Sequence, residues 1–296
     1  MLAIFVTAAN GLSYGLLLFL LSAGLSVTYG MLGVLNFAHG AFYMLGAYLG
    51  WSLASRFGLA AALLGAPLCC GLLGALLERC LLRPLRTAGR EAPDNAHARE
   101  LLTTFAVSLL IAESLRLVYG DLPLTLALPG WLDGSLPGLP LSRYRLFVVA
   151  LAGGVLAVLW LGLRRTRLGL LLRAARSDAQ YVEALGHAVP SLQTAVFGAG
   201  TGLAGLAGVL GGAAFTVEPG SIGSLVFVIV ALGGPGALFG PLLASLTIGL
   251  GQSALVASGM HVGASGFALA RLAPLLPYGL LLAALLWRRD TAGRRA

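Results

Sequence analysis

The sequence contains no lysine and little charge of any kind. Of its 296 residues 10% are charged, and all nineteen basic residues are arginine; a soluble domain carries roughly 25% charged residues. Without lysine the chain cannot house a phosphate loop of the GxxxxGK[ST] type, nor form the Schiff base that pyridoxal phosphate or retinal requires. Any ATP used alongside it is hydrolysed by another chain. Cysteine is scarce too: Cys69, Cys70 and Cys80 lie in or beside one apolar stretch with no histidine at ligand spacing, which points to packing rather than to a metal or a disulfide. No basic segment precedes the first apolar stretch, so a cleaved signal peptide is not expected and the first span should be retained.

What the sequence has in abundance is apolar length. Hydrophobic residues make up 58% and the mean hydropathy is +0.91. The first Asp, Glu or Arg is Arg56, and none falls between Glu218 and Arg271; such runs belong in lipid. They lack the period-two alternation of a membrane barrel. Glycine, at 42 residues, is about twice its usual ~7% share, as suits helices packed backbone to backbone in a membrane. The fold class expected is all-α: a polytopic transmembrane helical bundle forming one domain over residues 1–296.

Apolar segments fall at about 11–30, 31–54, 59–82, 101–120, 146–163, 191–215, 225–256 and 267–287, about eight helical segments, since twenty residues at ~1.5 Å each span one bilayer core. Fourteen of the nineteen arginines lie in 79–99, 164–176 and the C-terminal tail. The positive-inside rule makes these stretches cytoplasmic; it also explains the net charge of +8 without nucleic acid. Counting crossings from 79–99 puts the N-terminus outside. Parity then fails once, unless 225–256 is a broken hairpin that enters and leaves on one side. Its middle, Gly233-Gly234-Pro235-Gly236 followed by Gly240-Pro241, carries the breakers such a hairpin needs. Interrupted segments of this kind point to a transport pathway.

A second interruption is expected at 33–40, where Asn36 and His39 stand at membrane depth. Two readings fit them: interior groups hydrogen-bonded to stabilise a helix break, or groups lining a substrate path. Metal ligation does not fit, because a lone His without a nearby carboxylate or thiol makes no site. Between Arg164 and Pro190 the chain stops resembling a span. Ser177 or Asp178 is placed to cap a short helix that ends at Gly186, giving a compact amphipathic docking element. Gly198, Gly202, Gly205, Gly208 and Gly212 crowd one span as packing ridges. Glu113 and Arg116 lie three residues apart, close enough to pair on one helix face.

Four stretches together make the sequence resemble the permease subunits of ATP-binding-cassette importers for branched-chain and other hydrophobic amino acids. They are Asn36-Phe37-Ala38-His39-Gly40 with Met44-Leu45-Gly46-Ala47-Tyr48; Glu78-Arg79 with Arg83-Pro84-Leu85-Arg86; Arg173 to Gly186; and Leu232 to Gly236 with Gly240. The resemblance extends from about Gly11 to Gln252. It implies that Glu183, Ala184 and Gly186 stand in the loop that engages an ATPase, with Leu185 entering a groove on it and Arg173 and Arg176 at the rim. It implies the partners too: two cytoplasmic ATPase subunits, a second homologous permease and an extracytoplasmic substrate-binding protein, in a bacterial inner membrane. The chain itself would do no bond chemistry and need no cofactor. For a zwitterionic amino acid, Asn36, His39, Gly40 and the backbone of Gly233, Gly234 and Gly236 would line the path. Two departures stand out: Pro190 closes a His187-Ala188-Val189-Pro190 run where a sequence such as GINV is usual, and Gln252 replaces a frequent acid. The alternatives are an ion-coupled secondary carrier, which should show interior acids where only Glu113 qualifies, and an intramembrane enzyme, for which no paired carboxylates or nucleophile cluster exist.

Overall fold

The structure is a computed structural model that describes residues 2–33, 35–88, 96–120, 126–136, 139–214, 221–234, 236–259, 261–262 and 267–293. Twelve α-helices are described: α1 (Leu2–Leu32), α2 (His39–Phe57), α3 (Leu59–Leu77), α4 (Arg83–Ala88), α5 (Ala96–Tyr119), α6 (Arg143–Arg165), α7 (Arg167–Ser177), α8 (Ala179–Ala184), α9 (Val189–Ala214), α10 (Ser221–Gly233), α11 (Phe239–Ala257) and α12 (Leu276–Gly293). A π-helical turn, Glu78–Leu82, joins α3 to α4, and a 3₁₀ segment, Leu269–Leu275, leads into α12. Two short antiparallel ladders, Ser135–Leu136 with Leu139–Ser142 and His261–Val262 with Phe267–Ala268, decorate the loops.

Among the described residues seven helices are long and apolar enough to cross a membrane, so the all-α polytopic bundle is confirmed. Apolar side chains such as Leu64, Leu68 and Leu72 on α3 and Leu102 and Leu109 on α5 are exposed, as a lipid-facing surface demands. The first helix begins at Leu2 rather than near residue 11. The 225–256 stretch is two helices, and α10 has only 13 residues, too short at ~1.5 Å each to span a ~30 Å core.

The centre of the bundle is α9. Of its apolar window 78% is buried, against 11% for α5 and α6, because it packs on α1, α2 and α3 at once. Glycine makes this possible: a Cβ on Gly205 would overlap Cys70, one on Gly46 would overlap the Gly205 backbone, and one on Gly200 would meet Gly24 and Thr28. The glycine ridges expected in this span are therefore intramolecular seams. Leu17 and Leu21 of α1, Phe42 and Tyr43 of α2, and Ala204 and Leu210 of α9 fill the core between them. Tyr144 of α6 anchors on the same helix, its hydroxyl donating to the Leu210 carbonyl at 2.6 Å.

Candidate translocation and coupling site

The first interruption forms at 33–38, with Val34 outside the described residues. Gly33, at φ 72°, lets its N–H return to the Tyr29 carbonyl at 2.9 Å and stop α1. Asn36 starts the next helix: its Oδ1 accepts from the Ala38 N–H at 3.0 Å and its carbonyl from the His39 N–H at 3.2 Å, an Asx turn in place of a helical bond. His39 is fully buried, and its Nε2 donates to the Leu21 carbonyl of α1 at 2.9 Å. Both residues thus stabilise the break. Each also keeps one buried polar atom without a partner, Asn36 Nδ2 and His39 Nδ1. Gly40 crosses Gly223 of α10 at a distance that leaves no room for a Cβ.

The second interruption is a turn at 234–238 between α10 and α11, with Pro235 outside the described residues. Gly234 and Gly236 take φ of 86° and 72°, and Gly233 packs against Gly240 and Pro241 without space for a side chain. The turn is sewn to α1. Gly236 N–H donates to the Ser26 carbonyl at 3.0 Å and hydroxyl at 3.1 Å, and the Ser26 hydroxyl donates to the Ala237 carbonyl at 2.8 Å. From this turn α11 returns antiparallel to α1, with Ser245 beside Gly15 and Leu250 beside Gly11.

The segment after α6 folds as two short helices where one was expected. Asp178 causes the split: extended itself, it caps α8 by accepting the Tyr181 N–H on Oδ1 at 2.9 Å. Val182 turns inward with Ala175 of α7 and Val189 of α9, while Tyr181, Glu183, Ala184 and Leu185 are exposed. Gly186 ends the element at φ 87°, and Pro190 is absorbed in the first turn of α9, where a missing N–H costs nothing. Arg173 and Arg176 reach back to the bundle. Arg173 Nη1 donates to the Leu163 carbonyl and Arg176 Nη1 to the Gly236 carbonyl, the latter at 3.3 Å.

A buried polar cluster binds the arginine-rich ends together. Glu78, with no exposed surface, accepts from Arg86 and from the Thr194 hydroxyl; Arg83 Nη2 donates to that hydroxyl at 3.0 Å, and Arg86 Nε lies 3.6 Å from Glu100. The sequence shows these residues, but their pairing joins the π turn, α4, α5 and α9 across up to 116 positions. Glu78 sits in the π turn, a device that re-aims side chains within a helix. Other expectations resolve simply. Glu113 and Arg116 pair at 2.9 Å on the exposed face of α5. Cys70 packs in the core, while Cys69 and Cys80 face outward, so only one of the three is interior. Gln252 Nε2 donates to the Ala273 carbonyl at 2.8 Å, a bond an ionised carboxylate could not donate.

These features agree with the comparisons. A family described as branched-chain amino acid transport system, permease component, matches residues 7–285. The chain belongs to that permease family. The permease is 28% identical over 298 residues to the high-affinity branched-chain amino acid transport system permease protein BraD of Pseudomonas aeruginosa, covering 94% of this chain and 92% of the relative. It is also 28% and 27% identical to the LivH permease proteins of Salmonella typhimurium and Escherichia coli, over 82% of this chain and 83% of each relative. No solved structure matches. Family and helices together make the chain a multi-pass inner-membrane protein and a transport subunit, not an enzyme. As a permease component of an importer it works with ATPase and substrate-binding partners.

Proposed function

We propose that this permease carries branched-chain amino acids inward by alternating access, driven by two cytoplasmic ATPase subunits and paired with a second homologous permease. The observation that carries the mechanism is the Arg176–Gly236 bond: one side chain joins the segment at 164–190 to the broken helix pair at 233–241. An ATPase that closes on α7 and α8 would grip Leu185 and Ala184, with Glu183 alongside and Gly186 ending the knob; Arg173 and Arg176 would take up the rim and transmit the displacement to the bundle. The turn at Gly233, Gly234 and Gly236 would then shift against Ser26 and Gly30, and with it Phe227, which rests on Phe37. Asn36 Nδ2 and His39 Nδ1 are polar atoms available to a zwitterion when the first break opens, with Gly40 allowing close approach.

This reading puts the arginine-rich ends, 79–99 and 164–190, and the C-terminus in the cytoplasm. It also makes 1–296 one translocation domain, with the binding protein docking on the opposite loops. Packing supports the arrangement, since α10 and α11 contact one another across the short turn at 234–238. The test is co-purification of the permease with candidate ATPases in mild detergent, with ATPase activity stimulated by loaded binding protein. Glu183→Ala/Gly186→Arg should abolish association and stimulation while the fold survives. If wild type binds no ATPase and uptake collapses with the proton or sodium gradient, the chain is a secondary carrier.

A further inference from the structure

Where α1, α6, α7 and the α10–α11 turn meet, the structure forms a half-open cavity of about 240 Å³. Arg164, Arg173 and Arg176 line it, and no carboxylate does among the described residues. The bond from Arg173 to the Leu163 carbonyl uses a donor without cancelling charge, because the acceptor is neutral and a guanidinium carries five N–H groups. Arg164 lies over the Trp160 ring, 5.2 Å from its centroid, which leaves the edges of its fork for a ligand. Trp160 Nε1 is buried without a hydrogen-bond partner, a donor that calls for an acceptor. The other walls are apolar, Leu172 and Phe239 among them.

Position decides what such a ligand is. Trp160 and Arg164 occupy the last two turns of a span that ends at Arg165, the depth at which indoles and arginines meet lipid headgroups. A cationic floor beside apolar walls at that depth suits one amphiphile with a phosphate and an acyl chain. We propose that this cavity binds an anionic phospholipid, its phosphate taken by Arg164 and Arg173 and its chain lying against Leu172 and Phe239. The bound lipid touches α6, α7 and the 236–239 turn together, so it strengthens the link between coupling segment and broken helix. That consequence rests on the function proposed above; occupancy of the site does not.

The experiment uses the full transporter in nanodiscs of phosphatidylcholine with or without phosphatidylglycerol, and reads phosphatidylglycerol retained on the permease by native mass spectrometry. Wild type retains it and Arg164→Gln retains it about fivefold less. Trp160→Phe, which keeps the ring and removes the donor, also retains less, so the readout survives if one variant fails to fold. Arg56→Gln, far from the cavity, matches wild type. Equal retention by Arg164→Gln, Trp160→Phe and wild type overturns the proposal. Displacement by inorganic phosphate at low concentration overturns it in favour of a free-anion site, and displacement by leucine in favour of a substrate station. ATPase stimulation by loaded binding protein is measured separately: its loss with lipid retention intact counts against the coupling reading alone, while retention lost with the arginine upholds the lipid site.

Discussion

The rings of Phe37 and Phe227 pack 5.0 Å apart, centroid to centroid. Phe37 belongs to the first helix interruption and Phe227 to the helix that leads into the second, so the first break rests on the helix that carries the second. Phe37 also meets Phe105 of α5 at 6.4 Å, and its N–H donates to the Thr104 hydroxyl at 3.2 Å. Phe37→Ala should cost about 2 kcal/mol, less than a fully buried ring because 38% of the residue is exposed. Uptake in proteoliposomes should fall further than stability, with ATPase association unchanged. Uptake that tracks stability alone would show that the breaks move independently.

Glu78 supplies a second test. Removing its partner with Arg86→Met strands a fully buried carboxylate and should cost about 3 kcal/mol in an SDS unfolding titration. Glu78→Gln/Arg86→Met removes both charges and should recover much of that loss. A double variant as unstable as the sum of the singles would mean the pair contributes nothing as a pair.

Glycine packing is equally specific. Gly205→Val places a side chain against Cys70 and the Ala66 carbonyl of α3 and should prevent folding, read as loss of a monodisperse peak in detergent. Gly153→Val, on α6 where no atom lies within 4 Å of the added Cβ, should behave as wild type. Similar damage from both would locate the glycine requirement in the helices' own formation.

At the coupling segment, Gly186→Ala forces a side chain into φ 87° and should cost about 1 kcal/mol locally, and Leu185→Asp should spare the fold because the side chain is 61% exposed. Both should lower ATPase stimulation. Leu185→Asp with full stimulation would move the contact surface off α8.

The spans and both breaks were legible in the sequence because they rest on local signals: long charge-free runs, and Gly or Pro at membrane depth. Asp178 and Gly186 were legible for the same reason, each acting on its own backbone. The Glu78–Arg86–Thr194 cluster and the seam of Ser26 on Gly236 were not, since each joins residues far apart in the chain and nothing in their local sequence names the partner. Cys69 and Cys80 misled because an apolar residue in a membrane span has two equivalent destinations, core and lipid, and a segment as uniformly apolar as α3 carries no periodic signal to tell them apart.

The glycine seams of α9 have a mechanical consequence. Helices that interlock by side-chain knobs pass one another only in jumps of a whole turn, each requiring the knobs to disengage. The crossings of α9 at Gly24, Gly46 and Gly71 bring backbone against backbone, with no tooth to clear there, whereas Thr201 seats against Gly74 and Val209 against Gly50. The central helix is therefore smooth at its crossings and pegged between them: a shift of a fraction of a turn has to be taken up by those few side chains alone.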